Sequence, residues 1–188
     1  LEKKYDHAII SFGSDKQNAL SSDLLIQIIE KIHSLDSDEN LKLIVLQSSG
    51  EKTFCAGADL SELLSIGTEP DGTAFFSLFA RLSLAIRKSP HIILVKVQGK
   101  AVGGAVGIIA AADYAIVSEA TQFRLSELIN GIGPFVVGPA IVRKIGLSAF
   151  NHMTLNPGKW FTASWALEKN LINEITAEPL ELVVSNKI

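Results

Sequence analysis

The stretch that most constrains how this chain can fold covers residues 92–112, IILVKVQGKAVGGAVGIIAAA. Its first part is rich in β-branched residues and its last part in small helix formers, a pattern that predicts strand, glycine turn, helix. At the start of a helix the first backbone N–H groups have no intrahelical partner and carry the positive end of the macrodipole. Gly103 and Gly104 let another molecule approach that backbone closely. Two readings stand side by side: close packing of a helix on a sheet, or a turn that holds an oxygen as it becomes negative.

The rest of the chain supplies more of the same rhythm. Residues 8–12 (AIISF) and 41–47 (LKLIVLQ) predict strands, the second apolar enough to be buried on both faces. Between them Leu24, Leu25, Ile28, Ile29, Ile32 and Leu35 recur at helical spacing behind a Ser21 or Ser22 cap. Residues 48–58 predict a polar turn and Asp59 opens a short helix, while 65–73, with Gly67, Pro70 and Gly72, predict a mobile loop. A helix over 74–88 turns Phe75, Phe76, Phe79, Leu82 and Ile86 inward as core. Short strands follow at 114–117 and 121–125, then helices from Gly138-Pro139, over 150–155, and over 162–170 behind Thr162 or Ser164. Strands alternate with helices and no linker divides the chain, so residues 1–188 predict a single α/β domain.

Composition removes several classes of function. The chain has 188 residues, 47% of them hydrophobic, enough for one substantial core. A net charge of −3 with no Lys/Arg block argues against nucleic acid as a partner. The lone Cys55 excludes an internal disulfide, and no Cys/His cluster has the spacing of metal ligands. The longest uncharged run ends at Asp113, too short to span a bilayer, so no membrane association is expected. With no leader evident after Leu1, the expected setting is reducing and cytoplasmic.

The strand-to-glycine-turn-to-helix design occurs twice, at FCAGADL (54–60) and at GKAVGG (99–104). Two such turns facing each other can each lend a backbone N–H to one oxygen, the layout of an oxyanion hole. FCAGADL, KAVGGAVGIIAAADYAI and TQFRLSELINGIGP in that order, with QNALS early and FTASWALEKNLINEI late, resemble the enoyl-CoA hydratase/isomerase (crotonase) family across essentially the whole chain. The resemblance implies a crotonase-like (ClpP/crotonase) spiral of ββα turns, an acyl-CoA substrate with coenzyme A as part of it rather than a cofactor, and a homotrimer or hexamer. It also implies that C-terminal trimerisation helices of the family are missing from these residues. The wording SELINGIGPFVVGPAIVRKIG is similar to a subgroup associated with branched, carboxylated enoyl-CoA substrates such as methylglutaconyl-CoA.

Carried over residue by residue, the resemblance puts the oxyanion donors on the N–H groups of Ala58 and Gly104, and coenzyme A recognition at Ala19, Leu20, Ala56 and Asp59. Lys16 is either a phosphate contact or a solvated lysine. Hydratases of the family use two glutamates. The second falls on Glu127, but the first falls on Gly107. Hydration or dehydration of a 2-enoyl-CoA with Glu127 as acid/base is the leading expectation. Isomerisation, decarboxylation, and a non-catalytic acyl-CoA-binding homologue are the alternatives. A serine hydrolase lacks its G-x-S-x-G elbow here. Among the remaining candidates, Cys55, Trp160, Trp165 and Met153 read as packing. His7, His33, His91 and His152 read as structural or exposed, Asp113 as a loop tie, and Glu62 as solvent-exposed.

Overall fold

In the computed structural model, residues 1–4, 6–178 and 180–185 are described. The main sheet has the order β1-β2-β3-β5-β7-β10. Its strands are Glu2–Lys3 (β1), His7–Phe12 (β2), Leu43–Ser48 (β3), Ile92–Val97 (β5), Tyr114–Ser118 (β7) and Glu174–Thr176 (β10). All neighbours run parallel except β1 against β2. A smaller sheet, order β4-β6-β8-β9, is formed by Thr53–Cys55, Lys100–Val102, Gln122–Arg124 and Phe161–Thr162, with only β9 antiparallel. Three successive repeats, β3-β4, β5-β6 and β7-β8, each send one strand to the large sheet, the next to the small one, and then continue into helix. That is a spiral of ββα turns.

The helices follow the chain as α1 (Ser22–His33), α2 (Leu60–Ser65), α3 (Glu69–Lys88), α4 (Gly104–Ala111), α5 (Gly138–Thr154), α6 (Ala163–Glu168) and α7 (Leu180–Ser185). Helix α4 is buried on every side, from Gly104 to Ala111, which explains why its sequence is apolar throughout rather than amphipathic. One face of the large sheet forms the main core with α1, α3 and α4. On the other face Leu180, Val183 and Val184 of α7 pack against Val45, Leu94 and Ile116. Thus β3 is buried from both sides, as its continuous apolar run predicts.

Three local expectations are corrected. The predicted loop over 65–73 is helical from Glu69, because Thr68 accepts the Asp71 N–H as an N-cap and Pro70 suits a first helical turn. The polar segment 48–58 contains β4, whose Phe54 and Cys55 are fully buried, and GKAVGG contains β6. Strands of three residues leave no alternation to read; their pairing across the chain creates them. Serine caps α1 through Ser21, and Thr162 caps α6. Asp113 ties its loop by accepting the Ile93 N–H at 2.9 Å.

Candidate active site

Two glycines with positive φ shape the two turns: Gly57 at +92° and Gly103 at +54°. A β-carbon at Gly57 would lie 2.9 Å from the Val102 carbonyl oxygen and 3.8 Å from the Gly104 nitrogen, so the turns meet backbone to backbone. Leu20 fixes the first of them. Its N–H donates to Gly57 O at 2.7 Å and its carbonyl accepts from Asp59 N–H at 3.0 Å. In this parallel bridge the Ala58 N–H points away from Leu20. The second turn is fixed by Gly103 N–H donating to Arg124 O at 2.8 Å. Gly104 then opens α4, where its N–H has no intrahelical acceptor. Ala58 and Gly104 both line one cavity of about 400 Å³.

Glu127 enters this cavity from a 3-10 turn, Glu127–Asn130, that follows β8. Its Oε1 lies 3.0 Å from where a Gly103 β-carbon would stand, so the carboxyl rests on the turn that presents Gly104. Burial raises its pKa above the usual carboxylate range, opposed only by a backbone hydrogen bond and by no neighbouring cation. Among the described residues its Oε2 is buried without a hydrogen-bond partner. Of the apolar residues next to it in the chain, Leu125 is buried, whereas Leu128 and Ile129 turn outward.

The place of a first glutamate is closed. A β-carbon on Gly107 would lie 2.7 Å from Val137 Cγ1 and 2.8 Å from Val137 Cβ. Val137 also lines the cavity, so the wall at that point is apolar and the site holds one carboxyl. Gly107→Glu is therefore expected to cost about 1–3 kcal/mol of stability through overpacking, without raising hydration. Thermal unfolding checks this against Gly107→Glu/Val137→Ala, in which part of the loss returns.

The residues expected to recognise coenzyme A divide. Ala56 lines the cavity. Ala19 and Leu20 are buried and their backbone groups bond within the protein, Ala19 N–H to Lys16 O and Leu20 N–H to Gly57 O, while Lys16 and Asp59 hold each other. Lys16 Nζ donates to Asp59 Oδ2 at 2.8 Å and to Ser61 Oγ at 3.0 Å. The Asp59 carboxylate also caps α2 by accepting from Ser61 N–H and Glu62 N–H. The Lys16 hydrogen bond, with those backbone donors, holds Asp59 below the usual carboxylate range. Glu62, expected in solvent, instead accepts from the backbone N–H and hydroxyl of Ser22 and fastens α2 to α1.

Several cavity residues escape sequence reasoning. Phe76 and Phe79, expected as plain core, form part of its wall, and Trp160 lines it with Lys100 and Arg124 on its ring. The available signal was a cation beside each motif: Lys100 before Gly103, and Arg124 three residues before Glu127. Cys55 is buried, and burial pushes its thiol up to about 12, far from a nucleophilic thiolate. Among the described residues no group of three His, Cys, Asp or Glu side chains is placed to hold a metal, and no helix is long and apolar enough to cross a membrane.

A ββα spiral whose two glycine turns face one buried carboxyl is the crotonase architecture. The chain belongs to the enoyl-CoA hydratase/isomerase family, whose model matches residues 7–188. It is 29% identical over 195 residues to the short-chain-enoyl-CoA hydratase of Clostridium acetobutylicum, covering 100% of this chain and 74% of that one. It is 30% identical over 167 residues to Bacillus subtilis YngF, covering 88% of this chain but 63% of its relative. Among solved structures, an enoyl-CoA hydratase from Shewanella pealeana superposes with a TM-score of 0.88 at 28% identity, over 100% of this chain and 70% of that one. The chain thus spans about two thirds to three quarters of the length of these relatives.

Proposed function

We propose that this protein hydrates a 2-enoyl-CoA, or dehydrates the corresponding 3-hydroxyacyl-CoA, through an enolate held by the N–H groups of Ala58 and Gly104. The observation that carries this reading is the Glu127 carboxyl lying against Gly103, beside the turn that offers the Gly104 donor. With the thioester carbonyl between the two donors, charge that develops on its oxygen meets fixed dipoles in a largely apolar cavity. Glu127 takes a proton from water as the oxygen adds to C3, and the proton passes to C2 of the enolate. Dehydration reverses each step. A single carboxyl serving both transfers fits a pKa raised by burial.

The apolar wall at Val137 also favours a second reading, isomerisation, in which Glu127 removes a proton at one carbon and returns it at another. A panel of 2-enoyl-, 3-enoyl- and carboxylated acyl-CoA thioesters, with products identified by mass and retention, separates the two. Accumulation of a shifted double bond without 3-hydroxy product overturns hydration. The proposal includes assembly as a homotrimer or hexamer, read by light scattering.

Hydration is expected to fail on the acid side. Glu127 must be ionised to accept a proton from water, and burial keeps it protonated to a higher pH than an ordinary carboxyl. The acid limb of kcat/KM should therefore lie above the usual Glu range. A limb at or below that range contradicts the assignment of Glu127 as the base.

A further inference from the structure

The cavity has two unlike ends. At one, Ala56 N–H donates to Gln17 O at 3.1 Å, the Gln17 side chain accepts from the Thr53 hydroxyl at 3.3 Å, and Thr53 stands opposite Lys100 in the small sheet. Lys100 and Arg124 in turn share the ring of Trp160, so this polar end is continuous with the turn expected to recognise coenzyme A. The other end is hydrocarbon. Its walls are Leu63 of α2, Phe76 and Phe79 of α3, and Ile132, Val136 and Val137 ahead of α5. Among the described lining residues the only other polar side chains are Ser126, Glu127 and Asn130, all on the turn of the reacting carboxyl.

Two of the apolar walls stand directly on α4. A β-carbon at Gly104 would lie 2.6 Å from Phe79 Cε1, and one at Gly107 would lie 2.7 Å from Val137 Cγ1. Residues three apart share a face of a helix, so the ring and the valine stand side by side over the helix that supplies the Gly104 donor. Both are packed in place: each is 8% exposed, and Phe75 meets the Phe79 ring edge-on with centroids 5.5 Å apart. A thioester whose pantetheine arm leaves by the polar end, and whose carbonyl oxygen lies at Gly104, directs C2, C3 and the tail past this pair. An extended chain passes. A methyl branch on C2 or C3 meets Phe79 or Val137, and a charged tail is left without a partner among apolar walls.

We infer that Phe79 and Val137 are the specificity-determining residues for the acyl group, and that they select a straight hydrocarbon tail, unbranched at C2 and C3. This rests on reading the cavity as an acyl-CoA site. Calorimetric titration with saturated thioesters of equal carbon count tests it without turnover: hexanoyl-CoA, its isomers 2-methylpentanoyl-CoA and 3-methylpentanoyl-CoA, and adipoyl-CoA, which ends in a carboxylate. Hexanoyl-CoA should bind the wild type about tenfold or more tightly than each of the others, the scale of discrimination that one misplaced methyl group gives in an apolar pocket. In Val137→Ala and in Phe79→Leu, each checked for folding by circular dichroism, the preference over at least one branched isomer should fall to about threefold or less, while adipoyl-CoA gains nothing.

Equal affinity of hexanoyl-CoA and its branched isomers for the wild type overturns the selection, and an undiminished preference in both variants removes Phe79 and Val137 from it. Adipoyl-CoA binding as tightly as hexanoyl-CoA overturns the hydrocarbon tail. Each of these results leaves the acyl-CoA reading intact. If none of the four thioesters binds, that reading fails and the inference with it.

Discussion

Glu127→Gln is expected to lower turnover of the best 2-enoyl-CoA by about 10²- to 10⁴-fold, the usual worth of a positioned general acid/base. Gln keeps the shape and can still donate a hydrogen bond, but it cannot exchange a proton. The same substitution should raise the melting temperature at neutral pH. Burial favours the protonated form of Glu127 in the folded chain, so its contribution to stability is complete below the unfolded pKa and is lost as pH rises through the raised folded value. Gln is never ionised and escapes that loss. Lower activity with a higher melting temperature therefore excludes misfolding as the cause, and undiminished turnover would remove Glu127 from the mechanism.

Gly104→Pro should lose a further 10²- to 10³-fold or so in turnover beyond whatever Gly104→Ala loses, because only proline removes the donor N–H. The alanine control is needed. A β-carbon at Gly104 comes 2.6 Å from Phe79 Cε1, so either substitution displaces a ring in the cavity wall. Proline is otherwise tolerated here, since Gly104 opens α4 and its N–H has no helical partner to lose. Single-turnover rates for the two variants, with melting curves in parallel, give the comparison. Equal rates would show that the Gly104 N–H does not hold the oxygen.

Much of the architecture was legible because it is local. The continuous apolar run of β3 and the helical spacing of Leu25, Ile28, Ile29 and Ile32 are written in a few adjacent residues, as is a cap for α1 at Ser21 or Ser22 and for α6 at Thr162 or Ser164, of which the structure uses Ser21 and Thr162. The strands β4 and β6 were not, because three residues carry no periodicity and exist only through pairing with each other. The start of α3 was missed because glycine and proline were read as loop signals, whereas Thr68 caps the first turn in which Pro70 sits comfortably.

The site divides in the same way. Sequence alone showed the two glycine turns, as residue types at fixed spacing, and its resemblance to the crotonase family pointed to donors at Ala58 and Gly104, a carboxyl at Glu127 and no partner glutamate at Gly107. Only the tertiary structure decided that Val137 fills the partner's place, that Lys16 is held by Asp59, and that Lys100 and Arg124 share the ring of Trp160. These contacts join segments far apart in the chain. Their energies depend on distance and burial, quantities that no spacing along the chain encodes.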